Sequence, residues 1–87
     1  MNYQVIWLSI AEQELAALWL VPRYREAITR AADLLDRRLQ RNAPDEGESR
    51  SENLRVGFEM PLGILFRVDQ AARTVYVLHV WRFEQRG

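Results

Sequence analysis

The sequence predicts an α+β domain of order β-α-α-β-β-β, with a helical hairpin packed on one face of a mainly antiparallel sheet. Three observations predict it. Residues 56–83, VGFEMPLGILFRVDQAARTVYVLHVWRF, read as successive strands broken by short polar or proline-containing turns. Residues 22–42 carry apolar side chains at helical spacing. The opening segment, Tyr3-Gln4-Val5-Ile6-Trp7-Leu8, is short, aromatic and β-branched, as a strand is.

In chain order, the first strand gives way at Ser9, which with Glu12 forms an S-x-x-E pattern. The pattern predicts a capping box in which the Ser9 hydroxyl accepts from a helix N–H group. Ala11, Leu15, Leu18 and Trp19 then share one helical face, and Pro22 ends that helix while suiting the first turn of the next. In the second helix Tyr24, Ala27, Ile28, Ala31, Leu34, Leu35 and Leu39 form the buried stripe. Glu26 with Arg30 and Asp33 with Arg37 are i, i+4 pairs on its solvent side, each adding about 0.2–0.5 kcal/mol. Residues 43–53 are rich in Pro, Gly, Ser and acids and are expected to be a loop.

The final strand, Thr74–Phe83, is apolar on both sides, which predicts an interior position in the sheet. By a strict period of two, Val75, Val77, His79 and Trp81 share one face, and Tyr76, Leu78, Val80 and Arg82 the other. In the preceding strand Arg67 and Leu65 face one way, and Ile64, Phe66 and Val68 the other.

The chain has 87 residues, of which 48% are hydrophobic. That is sufficient for one core and rules out global disorder, so residues 1–87 are expected to be a single domain. There is no cysteine, which removes thiolate metal sites and cysteine nucleophiles. One histidine leaves no His pair for a metal, and no cofactor is expected. The absence of a basic leader or a long apolar run leads us to expect a cytoplasmic protein with no membrane partner. All 12 basic residues are arginine, balanced by 12 acids. Zero net charge argues against strong non-specific nucleic-acid binding.

The order of elements, YQVIWL leading into Ser9-x-x-Glu12, GESR at Gly47–Arg50, the Pro61-Leu62 turn and the closing VYVLHVWRF together resemble the RelE/ParE superfamily of type II toxin–antitoxin toxins. The resemblance implies a RelE/ParE-like fold and a cognate antitoxin protein as first partner. It also implies one of two cellular targets: the ribosome with its mRNA, cut by an endoribonuclease of the RelE kind, or DNA gyrase, inhibited without chemistry by members of the ParE kind. RelE-like cleavage leans on lysines and arginines of the sheet and on a polar aromatic near the C-terminus. Here there is no lysine, Leu62-Gly63-Ile64 stands where an early strand arginine is expected, and the last residues are Glu84-Gln85-Arg86-Gly87.

Arg55, Arg67 and Arg82 are the candidates for stabilising charge at a phosphate, with His79 as the proton carrier. Val75, Val77, Trp81 and Arg82 are the candidates for antitoxin binding on an open sheet face. The favoured reading is a toxin-like component that acts mainly by binding and is neutralised by its antitoxin. The alternatives are a ribosome-dependent mRNA endoribonuclease and a non-toxic scaffold that keeps the fold. Arginines gathered on one solvent-facing surface would favour the enzyme; scattered arginines favour the other two.

Overall fold

A computed structural model of the chain describes residues 2–83. The elements run β1 (Gln4–Trp7), α1 (Ser9–Trp19), α2 (Pro22–Asn42), a 3₁₀ turn (Ala43–Asp45), β2 (Glu48–Ser49), β3 (Leu54–Glu59), β4 (Leu62–Asp69) and β5 (Thr74–Arg82). They build one five-stranded sheet in the order β1-β5-β4-β3-β2. β1 pairs with β5 in parallel, and every other neighbouring pair is antiparallel. β5 is therefore interior, as its two-sided apolar pattern predicts.

The core lies between the helices and one face of the sheet. Ile28, Ala31, Leu35 and Leu39 of α2 meet Leu62, Ile64, Phe66 and Val68 of β4 and Val75, Val77 and Val80 of β5, with Ala11 of α1 completing the cluster. Burying each of the larger side chains contributes roughly 1.5–3 kcal/mol. Arg38 fastens the far side of this layer. Its guanidinium reaches the Glu59 carboxylate at 2.9 Å and that of Glu46 at 3.4 Å, and donates to the Phe58 carbonyl at 2.9 Å. One side chain thus ties α2 to β3 and to the segment after the 3₁₀ turn.

Two local expectations are corrected. Ser9 does not cap α1: the cap is Leu8, in extended conformation and without a side-chain hydrogen bond, and Ser9 is the first helical residue. The reason lies in the sheet. The Leu8 N–H donates to the Val77 carbonyl at 3.0 Å, which holds Leu8 extended, and its own carbonyl takes the Glu12 N–H at 2.9 Å. The second correction concerns residues 43–53, which hold the 3₁₀ turn and β2 as well as loop. Gly47, at φ +66°, makes the turn between them, and a Cβ there would overlap the Val56 carbonyl. Only glycine combines that conformation with so close an approach.

β5 is not regular. Phe66 faces Val77 and Leu65 faces His79, so Leu78 is one residue more than β4 provides for. A bulge of this kind re-phases the strand. Val75 and Val77 point to the helices before it, and Val80 and Arg82 after it.

Candidate functional site

The helices cover one face of the sheet and leave the other open. The strand registers divide this open face into three rows running across β3, β4 and β5. The first row is Phe58, Gly63 and Trp81; the second is Val56, Leu65 and His79; the third is Leu54, Arg67 and Tyr76.

The first row is aromatic. The Trp81 indole lies directly over Gly63, where an added Cβ would come within 2.5 Å of its Cε2. Glycine is required because the ring occupies the space of a side chain. Trp81 is 36% exposed, Phe58 44% and the neighbouring Met60 45%. Phe83 sets its ring edge-on to Phe58 at 5.8 Å between centroids. Together they form an exposed cluster of large apolar side chains on the open face. The third row is cationic. The Arg67 guanidinium lies 4.7 Å from the centre of the Tyr76 ring, an arrangement favoured by the ring quadrupole that keeps the charge low on the sheet.

His79 stands at the margin of the middle row, where β1 has ended and β5 has a bare edge. Glu14 of α1 fills the gap: its carboxylate accepts the Val80 N–H at 2.9 Å and lies 3.3 Å from His79 Nδ1. The carboxylate thus replaces a missing strand partner.

The residues singled out from the sequence separate. Val75 and Val77 are fully buried beneath the helices and offer no surface, whereas Trp81 lies on the open face. The expectation that they share a face fails because the Leu78 bulge intervenes. Nor do the arginines converge. Arg55 points to the helix side and donates to the carbonyls of Glu46 at 2.7 Å and Gly47 at 3.0 Å. Arg82 also lies on that side, 4.2 Å from the centre of the Tyr24 ring of α2. Arg67 alone of the three belongs to the open face. Arg50 pairs with Glu48 in its own loop at 3.7 Å. Phe58, Leu65, Tyr76 and Gly63 are not among the sequence candidates, because only the register shows that they share the open face with Trp81.

A concavity of about 550 Å³ opens between β1 and the two helices. Trp7, Leu15, Trp19 and Ile28 line it, with Glu12, Asp33 and Asp36 among its polar residues. Trp7 donates to Asp36 at 3.0 Å and Trp19 to Thr29 at 3.0 Å, which orients both indoles. Among the described residues, no helix is long and apolar enough to cross a membrane.

No family model matches the sequence, and no curated protein does. Solved structures do match. Over 95% of its length the chain is similar to 93% of a chain in the toxin–antitoxin complex RelBE2 of Mycobacterium tuberculosis, at 21% identity and a TM-score of 0.75. It is also similar, again over 95% of its length, to 98% of a chain in the chromosomal ParDE TA system from P. aeruginosa, at 20% identity and a TM-score of 0.68. At such identity the likeness is one of architecture, and the architecture is RelE/ParE-like.

Proposed function

We propose that this chain is the toxin component of a type II toxin–antitoxin module, that it acts by binding rather than by cutting RNA, and that a cognate antitoxin covers its open sheet face. Two solved toxin–antitoxin assemblies with the same architecture support the first part. The dispersal of Arg55, Arg67 and Arg82 carries the second. In-line cleavage of RNA needs fixed positive charge, a proton acceptor and a proton donor around one phosphate. Here two of the three arginines lie on the helix side of the sheet, and His79 faces a carboxylate at its edge.

The deciding experiment expresses the chain in bacteria, alone and with the product of any short reading frame adjacent to its own. Growth arrest that the second product relieves is the expected result. Primer extension on ribosome-bound message should then show no codon-specific cuts. Strong cuts lost in His79→Ala or Arg82→Ala would replace the binding reading with the ribonuclease one. A supercoiling assay with DNA gyrase reads the other target. The absence of any growth effect would favour the non-toxic scaffold.

A further inference from the structure

The open face carries two unlike features at a fixed separation: an aromatic row at Phe58, Gly63 and Trp81, and a cation at Arg67. They lie four residues apart along β4, and Leu65 lies midway, beside the buried Val56. At about 3.3 Å per strand residue the two outer rows are about 13 Å apart, with the middle row halfway. We propose that the face recognises an extended, acidic segment of its protein partner, in which an apolar residue, a second apolar residue and an Asp or Glu stand at positions i, i+2 and i+4, in either chain direction. The apolar end seats on Trp81 and Phe58, the middle residue on Leu65, and the carboxylate on the Arg67 guanidinium.

The geometry selects the conformation of the partner. Every second side chain of an extended segment points the same way and advances about 6.6 Å, which matches the row spacing. A helix advances about 1.5 Å and turns about 100° per residue. Its residue i+8 spans roughly 12 Å but is rotated about 80° away from a flat face, and residue i+7 falls about 3 Å short. The charge selects the chemistry. Among the nine side-chain positions of the three rows Arg67 is the one permanent cation, and its site on Tyr76 leaves it exposed. Arginine presents a planar fork of donors that suits a carboxylate.

This inference rests on the binding reading above, and its test is separable from it. The probe is the peptide acetyl-Ser-Leu-Ser-Val-Ser-Asp-Ser-amide together with its reversed sequence, titrated into the full-length protein and followed by NMR at the Trp81 indole N–H. We expect at least one of the two to bind, with shifts confined to the three rows. Exchanging the peptide's Asp for Asn should weaken binding about two- to fivefold, the worth of one exposed ion pair. Arg67→Gln should cause the same loss, and the two changes together should cost no more than either alone. Moving the acid by one position should cost as much, because it then points away from the face. Arg67→Gln lies on an exposed position, and an unchanged core spectrum verifies its fold. Equal binding of the shifted peptide, additive losses, shifts centred on the groove between α1 and α2, or no binding by either peptide would each overturn the proposal. If those outcomes occur while the adjacent gene product still relieves growth arrest, the recognition mode is wrong and the toxin reading stands. If the peptides bind as expected but no gene product relieves arrest, the reverse holds.

Discussion

The two sides of β4 come from one eight-residue strand and meet opposite fates. Leu62, Ile64, Phe66 and Val68 face the helices and are buried, while Gly63, Leu65 and Arg67 face outward, the glycine beneath Trp81, the leucine half-buried and the arginine exposed. The first set is interchangeable in kind, since any well-packed aliphatic core would serve. The second set is heterogeneous: packing against Trp81 fixes the glycine, and no core requirement explains the leucine and arginine that follow at alternate positions. Stability therefore lies on the inner side of the strand, and the proposed recognition on the outer. Substitutions on the two sides should separate accordingly.

The largest effect is expected inside. Phe66→Ala, at a fully buried position, should destabilise by about 3–5 kcal/mol in a urea titration, because the cavity left behind cannot close. A loss below about 1 kcal/mol would mean that the inner layer is far looser than its packing. Gly63→Val comes next and tests the seam between the two sides. The added side chain must lift the Trp81 ring from its seat, at a cost of about 1–3 kcal/mol, with a shift in tryptophan emission. An unchanged emission spectrum would place the indole elsewhere.

A smaller effect is expected at the edge. Glu14→Ala leaves the Val80 N–H without its acceptor, and about 1–2 kcal/mol should be lost together with the hydrogen-exchange protection of that amide. Retained protection would show that another group serves the edge. The smallest effect sharpens the comparison by its absence. Ser9→Ala should change stability by less than about 0.5 kcal/mol, since Leu8 rather than Ser9 is the helix cap. A midpoint loss above about 1 kcal/mol would restore the capping role.

Periodicity made most of the architecture legible. The stripe through Ile28, Ala31, Leu35 and Leu39, the break at Pro22 and the interior position of β5 all follow from spacing alone. What escaped has three physical causes. The S-x-x-E pattern at Ser9 is a local signal, and a sheet hydrogen bond from Leu8 to Val77 overrides it. β2 is two residues in a polar segment, paired because Gly47 turns the chain back beside Val56, and no hydrophobic pattern marks it. The bulge at Leu78 inserts one residue, and a single insertion reverses the facing of everything beyond it. That is why Val75 and Val77 were grouped with Trp81. Of the proposed face, Trp81 and Arg67 were legible as candidates, but their arrangement was not. Which residues share a row depends on register between strands, and a single sequence does not encode register visibly.

The parallel pairing of β1 with β5 bears on how the chain acquires its structure during synthesis. Gln4 sits opposite Thr74, seventy positions later. Closing a loop of that length costs roughly 4 kcal/mol of chain entropy, and contacts so distant in sequence slow folding. At about 5–20 residues per second, β1 waits roughly 4–14 s for its neighbour to be made. Throughout that interval the backbone of Gln4–Trp7 has no strand beside it, and the β3–β4–β5 meander that will receive it is incomplete. Translation of β5 is thus the event that closes the sheet, and any nascent chain halted before Thr74 lacks both the interior strand and the tryptophan of the exposed face.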